Sequence, residues 1–511
     1  MKLKVKEINF ETGNAKDIVL NDKDAQELGQ KAGERVIIKN IESKSIMEKY
    51  WVAIIQIDYL GTIVKSGEIG VFRNLLRERK ELKNQALVSV KPADPPNSFR
   101  FIQKKIKGQK LTSEEINNII TDAVSGSLSR IDLAAFITGV SINGMDNEEM
   151  TALTLSETRS GEIFYFGMDV YDKHSTGGVP GNKVSLIIVP IVAAAGLTIP
   201  KSSTRAITSP SGTADSMEVL APVAFTPEEL NKIVSEEKAC IIWGGALETA
   251  PADNILIEIE RPLHMDPIGL MIPSILTKKL SLGVKKLVLD IPVGEGTKFP
   301  TTDKGKQFAY LFKEIAANVG IEAECALTLA HQPIGHAVGP ALEAREALTL
   351  LGDYSAGPNS LIEKSTDLAG ILLEMSGKAQ KGMGQTLAKD ILRTGKAYEK
   401  MRNIIEAQGG NPNLKPEDIE VGPHIQEFFA TKDGYIVEVN NSIINRIAKT
   451  AGCPSSKTSG VEIIKKQGAK IAEGELVFRV YSHSDSKLRK AEKIYNLNSP
   501  IRLGGMMITR I

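Results

Sequence analysis

The spacing of apolar and polar residues predicts three consecutive helices between residues 95 and 165. Each begins at a residue whose side chain can cap a helix, namely Thr112, Ser129 or Asp146, and apolar residues then recur every three or four positions. In the first helix Glu115 can complete a capping box with Thr112. We therefore expect a helical lobe, formed by residues 95–165 together with 252–282.

From residue 166 onward, strand-like runs alternate with helical ones. The strand-like runs are Phe166–Tyr171, Leu287–Val293 and Glu324–Leu329, and the helical ones are Ser274–Leu282 and Pro340–Leu351. Such alternation predicts a mainly parallel sheet with ligand sites at the carboxyl ends of its strands. We assign residues 166–251 and 283–425 to this lobe. The run Val184–Ala195 is apolar throughout, so its pattern fits a helix or a buried strand, and Pro190 would kink a helix.

The two ends of the chain have patterns of their own. Residues 1–85 begin with an alternating strand, Lys2–Ile8, and continue with a short helix and a further strand after Gly33, an order that resembles small double-psi barrels. We interpret this part as an assembly or docking domain, and residues 426–511 as a small α+β subdomain. The expected fold class is thus α/β: a helical lobe and a large mixed α/β lobe, with an N-terminal barrel-like domain and a C-terminal α+β piece.

Composition narrows the function classes. The chain has 63 Lys and Arg against 62 Asp and Glu, and this balance argues against broad binding to nucleic acid or membrane surfaces. Its three cysteines, Cys240, Cys325 and Cys453, are far apart, and its histidines form no set with metal-ligand spacing, so we expect neither a metal nor a cofactor. The N-terminus lacks the apolar run of a signal peptide, and Val184–Leu197 is too short to cross a bilayer, which favours the cytoplasm.

The strongest chemical feature is the segment Asp172–Lys183. Three glycines allow the backbone to approach a ligand closely, Ser175 and Thr176 offer hydroxyls, and Lys173 and Lys183 offer positive charge. A helix beginning after Asn182 would point free N–H groups at the same place. The segment therefore suits an anion such as phosphate. The alternative is a strand-to-helix turn that merely needs glycine.

A second loop, Ser202–Thr213, is rich in hydroxyls and leads into another helix. It contains Arg205, whose guanidinium could hold a phosphate in fork geometry. Taken alone, the loop reads as a solvated connection with a capping threonine. Two such loops in consecutive β-α units would open on the same edge of the sheet, and this favours an anion site.

These two loops resemble the signatures of a known family. Lys173–Val179, "K-H-S-T-G-G-V", resembles the phosphate loop of the thymidine and pyrimidine-nucleoside phosphorylases, and Arg205–Ser209 with Thr213–Asp215 resembles their second signature. The resemblance is closer to the AMP phosphorylase branch, through "G-G-V-P-G-N-K", "R-A-I-T-S", "E-R-P-L" and "I-P-x-G-E-G-x-K", and it extends over essentially the whole chain. It implies a homodimer or larger homo-oligomer that uses inorganic phosphate to split AMP, with CMP and UMP as further candidates, into free base and ribose 1,5-bisphosphate.

The resemblance also implies roles for single residues. The positions that match phosphate ligands are Lys173, Ser175, Ser185, Ser203 and Thr213. Those that match AMP contacts are Gly178, Thr204, Arg205, Ala206, Ile207, Thr208, Ser209, Thr213, Ser274 and Lys298. His174 and Lys278 are candidate contacts to the base or sugar.

Asp266 matches the proton donor to the leaving base. A carboxyl group serves that role best where burial favours its protonated form. Because an apolar, strand-like run precedes Asp266, we expect it to be half-buried in a cleft. The alternative is a helix N-cap beside Pro267.

The chain departs from the thymidine pattern at several positions. The family's "S-G-R" reads Ser203-Thr204-Arg205, and Ser216 replaces a lysine, which favours a remodelled base pocket. Thr176, in contrast, is the thymidine-type residue. Two alternatives stay open: a nucleoside phosphorylase of the thymidine type, and a nucleotide-binding protein without catalysis.

Overall fold

The computed structural model of the 511-residue chain describes residues 1–12, 16–41, 50–78, 82–206 and 209–505. They form two compact units, one of Met1–Ser160 and Pro251–Ser274, the other of Gly161–Ala250 and Ile275–Ile511. The strands are β1 Lys2–Ile8, β2 Asp17–Asn21, β3 Arg35–Asn40, β4 Tyr50–Asp58, β5 Glu68–Phe72, β6 Leu87–Pro92, β7 Val170–Ser175, β8 Ile199–Ser203, β9 Ala239–Trp243, β10 Val284–Val293, β11 Glu322–Leu329, β12 Ala337–Val338, β13 His424–Phe429, β14 Gly434–Val439, β15 Gly460–Ile463, β16 Lys470–Ile471, β17 Leu476–Ser482 and β18 Ile501–Gly504.

Four helices follow one another between residues 98 and 159, and helices and strands are interspersed after residue 184. The helices are α1 Asp22–Leu28, α2 Arg73–Glu78, α3 Ser98–Ile106, α4 Ser113–Ser125, α5 Arg130–Asn143, α6 Asn147–Arg159, α7 Ser185–Ala194, α8 Thr213–Met217, α9 Pro227–Glu237, α10 Pro251–Leu263, α11 Ile268–Leu280, α12 Thr302–Asn318, α13 Pro340–Gly352, α14 Asn359–Met375, α15 Gly384–Arg393, α16 Lys396–Ala407, α17 Asn441–Ala451 and α18 Asp485–Leu497. None of the helices in the described ranges is long and apolar enough to cross a membrane.

The first unit begins with a closed barrel of six strands in the order β1-β5-β2-β4-β3-β6. Strand β6 closes it by pairing antiparallel with both β1 and β3. Alternate residues of the strands, such as Leu3 and Val5 or Ile18 and Leu20, fill its interior. The barrel-like N-terminal domain, expected because the order of strand, short helix and strand resembles small barrels, is confirmed.

The rest of the first unit is helical. Capping boxes start α4, α5 and α6 as the sequence predicts, at Thr112, Ser129 and Asp146. The apolar faces of α3 to α6 and α10 share one core, in which Ile116 and Phe136 are fully buried. The helical lobe is confirmed.

The second unit contains a parallel sheet with helices on its faces. Strands β11, β10 and β7 pair in parallel, as do β8 and β9, and a bridge between Val170 and Thr198 joins the two sets. The strand order is therefore β11-β10-β7-β8-β9. The strand predicted at Phe166–Tyr171 is misplaced, because Gly167 takes a positive φ of 70° in a turn and the extended segment begins only at Val170.

The apolar run from Val184 to Ala195 is a helix, α7, with Pro190 in its interior. Every residue from Ser185 to Ala193 is buried, so no polar face reveals a helical period in the sequence. The helix packs against α14 and α16 within the core of the second unit. The remainder of this unit, from β13 onward, folds as a small α+β piece around α17 and α18. The expected fold class is confirmed.

Candidate active site

The glycine-rich loop leads from β7 to α7 at the carboxyl edge of the sheet. Gly177, Gly178 and Gly181 have φ angles of 81°, 89° and 72°, a region that side chains rarely adopt. At Gly181 a Cβ atom would lie 2.5 Å from the carbonyl oxygen of Ile334. Glycine is thus required here for both backbone conformation and close packing.

Asp290 organises the end of β7. It is fully buried in β10, where its register partner is Ser175. Ser175 Oγ donates to Asp290 Oδ2 at 2.7 Å, and Thr328 Oγ1 donates to Oδ1 at 2.6 Å. The backbone N–H of Gly177 and the side chain of Asn182 donate in turn to Ser175 Oγ, at 3.3 and 3.1 Å. The Ser175 hydroxyl is therefore fixed, with its hydrogen directed at Asp290.

Two lysines flank Asp290. Lys364 Nζ lies 3.0 Å from Asp290 Oδ2 and Lys173 Nζ 3.8 Å from the same atom. Although burial acts in the opposite direction, these two ammonium groups hold the pKa of Asp290 below its ordinary value. Burial lowers the pKa of Lys173 to about 8. One carboxylate thus faces two cations, which leaves an excess of positive charge beside the loop.

A second carboxylate, Asp172, accepts a hydrogen bond from Lys279 at 2.6 Å and lies 3.5 Å from Lys201. Asp172 is fully buried. Burial lowers the pKa of Lys201 to about 7. Burial, and then the charges of Lys279, Lys201 and Lys278, hold the pKa of His174 well below its ordinary value. The imidazole is therefore neutral near pH 7, with one donor and one acceptor nitrogen.

Lys183 has a structural role. Its ammonium group is buried, pairs with Glu346 at 2.6 Å and donates to the carbonyl oxygens of Gly181 and Ile334, both at 3.0 Å. The prediction that Lys183 offers charge to an anion is wrong, because this charge is neutralised within the protein. The residue instead ties the glycine-rich loop to the segment that precedes β12.

In the second loop, the charged side chains bind to other groups of the protein. Arg205 pairs through both terminal nitrogens with Glu218, at 2.5 and 2.6 Å, and lies 4.9 Å above the ring of Trp243. Asp215 accepts hydrogen bonds from the backbone N–H groups of Ala206 and Gly212, at 2.7 and 2.9 Å. The fork of Arg205 is thus occupied by a protein carboxylate.

Three of the candidate phosphate ligands lie at the ends of strands or helices. Ser203 is the last residue of β8, and Thr213 and Ser185 are the first residues of α8 and α7. Thr204 is exposed, whereas Ser209 is half-buried and donates to the carbonyl oxygen of Ser211 at 2.8 Å. Ile207 and Thr208 lie outside the described residues.

A third loop follows β10 and carries Lys298. A Cβ atom at Gly178 would lie 3.3 Å from Thr297 Cα and 3.5 Å from the backbone nitrogen of Lys298. The fold therefore brings the backbone of Lys298 against the glycine-rich loop, while its side chain is exposed.

Asp266 and Ser274 belong to the first unit, and Lys278 to the second. Asp266 lies in the connection between α10 and α11 and is exposed. The preceding run is the helix α10 rather than a strand, and the expected half-burial of Asp266 is wrong because the residue is exposed. Ser274 and Lys278 are one turn apart on α11.

The sequence prediction missed Asp290, Lys364, Asp172 and Lys279. A signal was present in two cases. Asp290 interrupts the apolar run of β10, and Lys364 falls between Leu361 and Leu368 on the buried face of α14. In the part of the chain that the structure describes, no group of three or more His, Cys, Asp or Glu residues is placed to hold a metal ion.

Two parts of the chain match the models of one known family. Residues 100–160 match the family model described as the helical bundle domain of a glycosyl transferase family, and residues 167–398 match that of its a/b domain. The structure of anthranilate phosphoribosyltransferase from Thermus thermophilus resembles 60% of this chain and 99% of its own, with a TM-score of 0.52 and 19% identity. That similarity concerns the fold alone. Fold and loops thus define a glycosyl transferase with a helical bundle and an α/β domain.

Similarity to curated proteins is more specific. The AMP phosphorylase of Thermococcus kodakarensis is 46% identical over 88% of this chain and 90% of its own length. That of Pyrococcus furiosus is 43% identical over 99% of both chains. The chain therefore belongs to the AMP phosphorylase family, and the resemblance that the motifs indicate is confirmed.

Proposed function

We propose that the protein catalyses the phosphorolysis of AMP, as a pentosyltransferase. Inorganic phosphate attacks C1′ of the ribose, the bond from C1′ to the base breaks, and adenine and ribose 1,5-bisphosphate leave. Support comes from the family and from one structural observation, the excess of positive charge where Lys173 and Lys364 share Asp290 beside the glycine-rich loop.

The loop geometry suits phosphate. Lys173 supplies charge that its surroundings do not fully neutralise, and the first turn of α7 follows directly, with Ser185 at its start. We propose Lys173, Ser175, Ser185, Ser203 and Thr213 as the phosphate ligands. Ser175 can donate to phosphate only by releasing Asp290, because its single hydrogen is already used.

A second set of residues, which shares Thr213 with the phosphate ligands, is proposed to contact the nucleotide. Gly178 and Lys298 are adjacent through their backbones, so one ligand can contact both. The set comprises Gly178, Thr204, Arg205, Ala206, Ile207, Thr208, Ser209, Thr213, Ser274 and Lys298, with His174 and Lys278 toward the base or sugar. For Arg205 the contact is assigned to its backbone, since Glu218 holds its guanidinium.

Asp266 is proposed as the proton donor to the leaving base. A base that departs from an oxocarbenium-like ribose needs a proton, and a carboxylic acid can supply it. Because Asp266 is exposed, a bound nucleotide must shield it from water for this role. A homodimer or larger assembly and a location in the cytoplasm stay predictions.

The test is chromatographic detection of the free base. The full-length chain is incubated with AMP, CMP, UMP, adenosine or thymidine, each with and without inorganic phosphate, and the sugar product is identified by mass. We expect phosphate-dependent release of adenine from AMP together with ribose 1,5-bisphosphate, and no release from adenosine. Release from thymidine instead would place the protein with the nucleoside phosphorylases. Binding of phosphate without any turnover would indicate a nucleotide-binding protein.

A further inference from the structure

Lys364 occupies an unusual position for a lysine. It lies on the buried face of α14, and its side chain is 6% exposed. Leu361 and Leu368, one turn on either side of it, are fully buried. A cation in such a place costs desolvation free energy unless a specific partner offsets it. The position therefore points to a partner that needs the charge.

That partner is Asp290. Lys364 Nζ lies 3.0 Å from Asp290 Oδ2, yet among the described residues it makes no hydrogen bond of good geometry. The oxygens of Asp290 already accept hydrogen bonds from Ser175 and Thr328. The contribution of Lys364 is thus mainly its charge, which neutralises a carboxylate whose hydrogen bonds come from elsewhere.

The consequence falls on Lys173. With Lys364 beside Asp290, Lys173 Nζ stays 3.8 Å from the carboxylate, beyond hydrogen-bond distance. Without Lys364, Asp290 would be a buried anion with Lys173 as its remaining cation, and an ion pair between them would close. We propose that Lys364 is a positioning residue of the phosphate site. It neutralises Asp290 and so keeps the Lys173 ammonium available to inorganic phosphate. This inference rests on the proposed phosphorolysis.

The charge argument predicts opposite results for a single and a double substitution. Lys364→Met should weaken the binding of inorganic phosphate by roughly tenfold or more, because Asp290 then captures Lys173. Adding Asp290→Asn removes the competing anion, and phosphate affinity should return to within about threefold of wild type. A direct contact between Lys364 and phosphate would instead leave the double variant as weak as the single one.

The experiment is titration calorimetry of the full-length chain with inorganic phosphate, for wild type, Lys364→Met, Asp290→Asn and the double variant. Lys378→Met, at an exposed lysine just beyond α14, is the matched control and should bind like wild type. A double variant at least tenfold weaker than wild type overturns the proposal. So does a Lys364→Met variant that loses thermal stability but keeps its phosphate affinity.

Two provisions keep the outcome decisive. If Lys364→Met does not fold, Asp290→Asn and the double variant still decide, because the proposal requires their phosphate affinities to agree within about threefold. In the AMP assay, Lys364→Met should raise KM for phosphate and leave kcat within about threefold. A wild-type chain that binds phosphate but does not cleave AMP would refute the proposed function alone. A wild-type chain that does not bind phosphate would refute the present inference.

Discussion

At the scale of single residues, the charge of Lys173 depends on its surroundings. Burial lowers its pKa to about 8, and Asp290 opposes that shift only in part because Lys364 and Lys279 also lie close. A lysine is charged below its pKa and neutral above it. The ammonium that we assign to phosphate is therefore present at neutral pH and lost in mildly alkaline solution.

A pH dependence follows from this pKa. KM for phosphate should be nearly constant below pH 8 and rise by about tenfold per pH unit well above it, because the protonated lysine is the binding form. Steady-state kinetics at saturating AMP between pH 6.5 and 9.5 measure it. Lys173→Met should bind phosphate weakly at every pH and lack the rise. A flat profile for wild type would contradict the loss of the Lys173 charge in this pH range.

The sequence shows which side chains are charged, but it does not show which of them are paired with another charged residue of the protein. Lys173 and Lys183 stand at either end of one motif and look equivalent, yet Lys183 is neutralised by Glu346, 163 positions further along the chain. Arg205 is likewise held by Glu218. Lys364 is the reverse case, a residue outside every motif that the fold brings to the site. Such pairings depend on tertiary contacts that no local pattern contains.

At the scale of elements, the glycine-rich loop needs glycine for two reasons, a positive φ angle and close packing. Gly177 shows the first reason alone, and Gly178 shows both. Gly177 and Gly178 have similar positive φ angles, 81° and 89°. A Cβ atom at Gly177 would meet nothing within 4 Å, whereas one at Gly178 would press on Thr297 and the backbone of Lys298.

Alanine at these two glycines should therefore differ in effect. Both variants should lose about 1–2 kcal/mol of stability from the strained φ. Gly178→Ala alone should also raise KM for AMP by roughly tenfold, because it displaces the Lys298 loop. Thermal unfolding measures the first effect and initial rates the second. Equal KM values for the two variants would contradict a nucleotide contact at Gly178 and Lys298.

The Lys183–Glu346 pair joins the same loop to the rest of the second unit. Lys183→Met should cost about 3–5 kcal/mol, because it leaves the Glu346 carboxylate without its counter-ion. Lys183→Met with Glu346→Gln should recover a substantial part of that loss, since the double variant removes the Glu346 carboxylate together with its closest cation. Chemical unfolding of the three proteins measures the differences. A double variant that is less stable than the single one would show that the carbonyl contacts of Lys183 matter more than its charge.

The elements that the sequence predicts best are those with local signals. The capped helices α4 to α6 begin where Thr112, Ser129 and Asp146 predict, because capping depends on residues within one turn. Helix α7 leaves no such signal, since neighbouring helices surround it and all its faces are apolar. The sequence pattern places the start of β7 at Phe166, four residues too early. Apolar residues lie on both sides of Gly167, and the pattern does not show the positive φ angle that interrupts the run there.

At the scale of the whole molecule, the proposed chemistry draws on both units. The proposed phosphate ligands, from Lys173 to Thr213, all belong to the second unit, whereas Asp266 belongs to the first. Binding of phosphate and transfer of a proton to the base are therefore assigned to different compact units of the chain. Substitutions that affect one step should leave the other measurable.

Asp266→Asn tests that separation. The variant cannot donate a proton to the leaving base, so kcat for AMP should fall by about 10²- to 10⁴-fold, the usual contribution of a general acid. The dissociation constant of inorganic phosphate should stay within about twofold of wild type, because the proposed ligands of phosphate lie in the other unit. Glu258→Gln, at an exposed carboxylate of the same unit whose ion pair with Arg130 is long, is the control and should keep full activity. Loss of phosphate binding in Asp266→Asn would show that the two units are coupled before any nucleotide binds. Unchanged kcat would mean that another group protonates the base.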